Sequence, residues 1–270
     1  MRGAIIGDII GSAFIESPQV TTDFQLLKPF SAYTDDTILT LATADAILKN
    51  IPYADSIRQW TKSYPKAGYR PAFLEWALSD NPEIKYQSSG DGAARRVSPI
   101  GFAAKTLDEA LQESKKATII THPSIAKIKA SQAIAGSVFL AKSGKKKDEI
   151  KDFLSADLGY HLPDVLEKNC VHLLHAKYES PAPCAIMAFL NSDNFEDAIR
   201  KAIWLNGPSN TIACITGGLA QAYYGHIPKS ILRKTLSRLS TEIADTMIAF
   251  EKQFCQQVIL SKKEINYSFD

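Results

Sequence analysis

Apolar residues in this chain recur every three or four positions instead of alternating, and the pattern returns in segment after segment. Ile38, Leu41, Ala42, Ala46 and Leu48 share one face of a helix predicted to begin at Asp36 or Thr37, with Asn50 near its end. Ile128, Ser131, Ala135, Val138 and Phe139 form a second stripe closed by Gly144, and Ile150, Phe153 and Leu154 a shorter third. Ile212, Ile215, Leu219, Ala222 and Tyr223 make a fourth, stopped by Gly225 and Pro228. Asp193 or Asn194, and separately Thr241, supply starts for two more helices. No sustained alternating run with hairpin turns appears, so the pattern predicts one compact all-α domain over residues 1–262 and a tail over 263–270.

The opening segment tests that reading. Ala4-Ile5-Ile6-Gly7-Asp8-Ile9-Ile10-Gly11 looks like a strand entering a dinucleotide-binding turn, but Gly3, Gly7 and Gly11 are spaced by four, not as G-x-G-x-x-G. Spacing by four puts the glycines on one helical face, where two backbones can approach closely. A helix packed into the core follows, despite the propensity cost of glycine.

Composition narrows the function classes. The chain has 270 residues, 45% hydrophobic and 22% charged, as in an ordinary globular protein long enough to bury a core. A net charge of +2 gives no footing for nucleic acid or a membrane surface. Lys145-Lys146-Lys147 is followed at once by Asp148 and Glu149 and reads as a solvated turn before a helix. The four cysteines show no Cys-x-x-Cys pairing and have apolar neighbours, so they read as small hydrophobes. No apolar run approaches the roughly 20 residues of a membrane span. Asp8 interrupts any secretory pattern, so a cytoplasmic protein is expected, in its own cell or in one that receives it without a signal peptide.

Chemistry concentrates in a few segments. Thr34-Asp35-Asp36-Thr37 sets two carboxylates and two hydroxyls at a helix start, where capping alone explains them but a hard cation would also be suited. In Gly90-Asp91-Gly92 the glycines let backbone amides approach an anion or a sugar, and Thr121-His122-Pro123 places a histidine in a polar loop before a helix.

Taken in order, Gly7-Asp8-Ile9-Ile10-Gly11-Ser12, Tyr33-Thr34-Asp35-Asp36-Thr37, Tyr64-Pro65-Lys66-Ala67-Gly68-Tyr69, Gly90-Asp91-Gly92, Arg96-Val97-Ser98-Pro99, Thr121-His122 and Ala220-Gln221-Ala222-Tyr223-Tyr224-Gly225 resemble the ADP-ribosylglycohydrolase family from about residue 2 to about 240. The resemblance implies an all-helical fold with a cleft for ADP-ribose, hydrolysis of a glycosidic bond to ribose, and two magnesium ions. It matches Thr34, Asp35 and Asp36 to the first metal-binding segment, and Gly90 and Gly92, approached by Ser88, to the loop for the distal ribose and diphosphate. His122 corresponds to a histidine near the phosphates.

The departures matter as much. Where members have Gly-Gly-Asp-Ser-Asp-Thr, this chain has Asn206-Gly207-Pro208-Ser209-Asn210-Thr211, keeping only Thr211 as a ligand. The loop asparagine is Asp91, a gained carboxylate; the aromatic before the loop is Ser89; and the acid after the first helix is Glu16, one position late. Two lost carboxylates leave the +4 of two Mg²⁺ ions poorly balanced, which argues for at most one weakly held ion on Thr34, Asp35, Asp36 and Thr211. The expected activity is therefore removal of ADP-ribose from a protein side chain, with arginine as the expected linked residue, by Asp35, Asp36 and Asp91 without the two-metal centre. Ser88, Gly90, Asp91, Gly92 and His122 are the expected ligand-binding residues. The expected partners are ADP-ribosylated protein and ADP-ribose. The competing expectation is an inactive member that binds ADP-ribose or an ADP-ribosylated protein.

Overall fold

The computed structural model describes residues 1–255 apart from 82, 83, 85, 89, 91, 169–177 and 179. Asp91, Ser89, Cys170 and the 263–270 tail therefore lie outside the described residues. Those described form α-helices and one 3-10 turn and contain no strand, as the sequence pattern predicts. In chain order the helices are α1 (Arg2–Ser12), α2 (Asp35–Lys49), α3 (Tyr53–Ser63), α4 (Pro71–Leu78), then the 3-10 turn Ala94–Arg96 and α5 (Ser98–Ala103). After these come α6 (Leu107–Ile119), α7 (Ile125–Lys142), α8 (Lys147–Ala156), α9 (Ala182–Leu190), α10 (Phe195–Trp204), α11 (Ser209–Tyr224), α12 (Lys229–Leu236) and α13 (Thr241–Phe254).

Two antiparallel helices organise the core. α1 is a helix, as its glycine spacing predicts, and Ile5, Ile6, Ile9 and Ile10 are fully buried, each contributing about 1.5–3 kcal/mol of hydrophobic stabilisation. Its glycines face the small residues of α11. A Cβ on Gly3 would lie 2.2 Å from the Gly217 carbonyl oxygen, one on Gly7 1.9 Å from that of Ala213, and one on Gly11 2.5 Å from that of Ser209. Rows of residues four apart thus interdigitate with almost no side chain between the backbones.

The amides that open α1 would be orphans in the core. The Arg2 amide donates to Glu251 Oε1 (3.0 Å) and the Gly3 amide to Gln221 Oε1 (2.8 Å). Glu251 of α13 also meets the Met1 ammonium and the Arg2 guanidinium. Burial alone would push the Glu251 carboxyl up, but those two cations outweigh it and hold it at about 2.

The remaining helices enclose this pair. α7 presses α5 so closely that a Cβ on Gly101 would lie 2.4 Å from the Ala135 oxygen. α2 ends on Asn50 in the left-handed region, and α11 on Gly225. The predicted solvated turn at 145–147 is only partly so. Lys147 lies over the rings of Phe189, Tyr223 and Tyr224 and donates to the Ser192 carbonyl, because its long stem carries the ammonium back onto the fold. No described helix is long and apolar enough to cross a membrane.

Candidate active site

The site begins with Asp8, a buried carboxylate in the middle of α1. It accepts from the Thr34 amide (2.8 Å), the Thr34 hydroxyl (2.7 Å), the Thr37 amide (3.1 Å) and the Thr37 hydroxyl (2.6 Å). Burial raises its pKa to about 6 against the pull of the Thr37 and Thr34 donors. Asp8 thus fixes the start of α2 to the central helix. Thr34 caps that start by accepting from the Asp36 amide at 3.2 Å, so Asp35 and Asp36 occupy the first turn, where the helix dipole favours negative charge.

Their charge is met by a side chain. Arg95, in the 3-10 turn, donates from Nη2 to Asp35 Oδ2 (2.5 Å) and from Nη1 to Asp35 Oδ1 (3.3 Å), and Nη1 also pairs with Asp36 Oδ1. The other Asp36 oxygen accepts from the Thr211 hydroxyl (2.9 Å) and the Asn210 amide (3.3 Å). Burial would weaken the hold of Arg95 on its proton, but Asp36 and Asp35 outweigh it and keep the guanidinium charged.

These contacts test the residues against the magnesium ions of the family. The Thr34 hydroxyl donates to Asp8 and accepts from Asp36 and Asn210. Both Asp35 oxygens face Arg95, Asp36 is divided between Arg95 and α11, and Thr211 donates to Asp36. Each offered oxygen already has a protein partner, and a fixed cation stands among them. The arrangement does not fit a two-magnesium centre.

Beside the acidic turn lies a cavity of about 230 Å³ whose lining includes Asp35, Ser88, Gly90, Gly92, Arg96, His122, Asn210 and Thr211. Arg96 and His122 in that lining belong to a hydrogen-bonded group. Arg96 Nη2 donates to the Ala117 carbonyl (2.9 Å) and the Thr121 hydroxyl (2.7 Å), and the Thr121 oxygen lies 2.8 Å from His122 Nδ1. Thr121 thus links the Arg96 guanidinium to the His122 ring. Burial and the Arg96 and Arg95 charges lower the His122 pKa to about 2, so the ring is neutral. His122 Nε2 and Arg96 Nε and Nη1 are buried with no hydrogen-bond partner among the described residues. Buried donors without partners, on the wall of a cavity, favour an anion there.

The structure brings Asp35, Ser88, Gly90, Gly92, His122 and Thr211 around one cavity. Asp36 lies behind its wall, fully buried, and Thr34 faces Asp8. The Gly90 amide donates to Ser88 Oγ at 3.0 Å, so one amide expected for a ligand already has a partner. Asp8, Arg95 and Arg96 were not among the expected site residues. Their signal was present, since three charged residues interrupt two otherwise apolar or small-residue segments, Ile5–Ile10 and Ala93–Val97.

A helical shell around an acidic turn and a donor-lined cavity defines a class, and comparison with known proteins gives the same one. The profile of the ADP-ribosylglycohydrolase family matches residues 1–258, and the chain belongs to that family. The chain is 23% identical over 261 residues to ADP-ribosylarginine hydrolase Tri1 of Pseudomonas putida (strain GB-1), covering 83% of this chain and 69% of that one. It is 24% identical over 307 residues to ADP-ribosylhydrolase ARH3 of Xenopus tropicalis, covering 83% and 86%. A solved structure described as an ADP-ribosylglycohydrolase-related protein complex matches with a TM-score of 0.68 at 23% identity, over 93% of this chain and 95% of that one. That likeness shows the fold.

Proposed function

We propose that the protein removes ADP-ribose from an ADP-ribosylated protein, with arginine as the linked residue, and that it does so with little or no dependence on magnesium. The observation that carries this reading is the cavity itself, which brings the Asp35 carboxylate together with Arg96 and His122, whose buried nitrogens lack partners among the described residues. Arg96 and His122 suit the diphosphate. Asp35 then meets the distal ribose, where the glycosidic bond breaks through an oxocarbenium-like state that a carboxylate stabilises. Arg95 holds the Asp35 carboxylate in a fixed direction. Asp36 positions Arg95. Asp91, on the glycine loop, is the second carboxylate and activates water or protonates the leaving nitrogen. The arginine linkage is drawn from the likeness to Tri1.

A second reading is supported by one observation. Both carboxylates of the acidic turn are engaged by Arg95, which suits a protein that binds ADP-ribose without cleaving it. Release of ADP-ribose from an arginine-modified protein, with and without chelator, separates the two. Turnover that survives chelation and falls by about 10² or more in Asp35→Asn supports the hydrolase. Loss on chelation with recovery on Mg²⁺ overturns metal independence. Binding of ADP-ribose with no turnover under any condition overturns hydrolysis.

A further inference from the structure

We infer that the guanidinium of Arg95 is the resident cation of this site, a covalently attached replacement for metal that keeps divalent ions out. The inference does not depend on whether the chain hydrolyses its ligand or only binds it. Its basis is the ion pairing of one side chain to both carboxylates of the acidic turn. A divalent ion seated between Asp35 and Asp36 would have to displace Arg95 or sit against it, and like charges at contact repel strongly where little water screens them. Arg95 is held from behind as well, because its turn is packed on α2, with the Arg95 carbonyl 3.3 Å from the Thr40 hydroxyl and 3.5 Å from the Cys214 thiol. These contacts fix the turn, and the guanidinium it carries is held in place by the two carboxylates.

The same geometry accounts for the altered downstream segment. With a single positive charge against Asp35 and Asp36, further carboxylates from α11 would be in excess. Asn210 and Thr211 supply hydrogen-bond donors to Asp36 in their place. Neutral donors suit a site whose cation is one guanidinium, whereas a divalent centre requires more oxygen ligands and more negative charge.

The test is a titration of the whole protein with MnCl₂, followed by calorimetry and by the electron paramagnetic resonance signal of free Mn²⁺. Wild type should show no binding below millimolar concentration. Arg95→Met, which keeps an unbranched stem of similar length without the charge, should bind Mn²⁺ at least about tenfold more tightly than wild type. Arg95→Lys, which keeps the charge, should resemble wild type. Binding of Mn²⁺ to wild type as tight as to Arg95→Met overturns the inference, as does a folded Arg95→Met with no gain. If Arg95→Met fails to fold, Arg95→Gln takes its place in the same comparison, and binding of micromolar Mn²⁺ to wild type overturns the inference in either case.

Discussion

Replacing Gly7 with alanine tests the central claim that the backbones of α1 and α11 touch. The added Cβ would lie 1.9 Å from the Ala213 oxygen and 2.9 Å from the Cys214 nitrogen. An ordinary contact needs at least about 3.4 Å, so the helices must part by about 1.5 Å there, and both neighbours are backbone atoms that cannot rotate away. Alanine gains about 1 kcal/mol of helix propensity, while overpacking of a rigid core costs about 1–3 kcal/mol and occasionally more. Backbone against backbone lies at the upper end, so a net loss of about 2 kcal/mol or more is expected. Urea unfolding followed by far-ultraviolet circular dichroism measures it. The control is Gly218→Ala on α11, where the nearest atom is the Ser98 side-chain carbon at 3.0 Å, and a change of less than about 1 kcal/mol is expected. ADP-ribose binding should weaken in Gly7→Ala alone, because Asp8 lies on α1 while Asn210 and Thr211 lie on α11. If Gly7→Ala matches wild type within about 0.5 kcal/mol, or matches Gly218→Ala, the close approach is refuted.

Two further outcomes are expected. Glu251→Gln removes the carboxylate that meets the buried Met1 ammonium and the Arg2 guanidinium, which should cost about 3–5 kcal/mol in denaturant unfolding. Because the folded Glu251 carboxyl is depressed from 4.5 to about 2, its contribution is full above pH 4.5 and is lost as pH falls toward 2; an acid limb of equal size in Glu251→Gln would contradict this. Gly92→Val places a branched side chain where a Cβ already lies 3.3 Å from His122 Cε1, so calorimetry should show ADP-ribose binding weakened by about tenfold or more, and unchanged affinity would remove the loop from the site.

Fold class and the helices with clear stripes or stops were legible because burial on one side leaves a 3.6-residue record. α2 starts at Asp35, one or two residues before the expected Asp36 or Thr37, because Thr34 is the residue that caps it, while the end of α11 at Gly225 follows from capping chemistry that sequence displays directly. The start of α6 carries an equally direct signal: Thr106 accepts from the Glu109 amide, and Glu109 from the Lys105 amide. Other features were not legible in principle. Gly3, Gly7 and Gly11 announce a close partner but do not name it, and Ser209, Ala213 and Gly217 are too ordinary to answer. Arg95 and Arg96 are adjacent and alike in sequence, yet one faces two carboxylates and the other a carbonyl and a hydroxyl. Only the path of the 3-10 turn separates those fates.

The pairing of α1 with α11 also sets an order of events during synthesis. Gly3 emerges from the ribosome 214 residues before its partner Gly217. At a translation rate of about 5–20 residues per second, a helix carrying four core isoleucines waits roughly 10–40 s for the surface that covers it. Asp8 waits with it for a shorter time, since Thr34 and Thr37 follow closely. The acidic turn can therefore be anchored early, while Asn210 and Thr211 close over Asp36 only near the end of the chain. A nascent chain stalled before α11 would present an oily glycine helix to chaperones, which makes this protein sensitive to truncation far from its acidic turn.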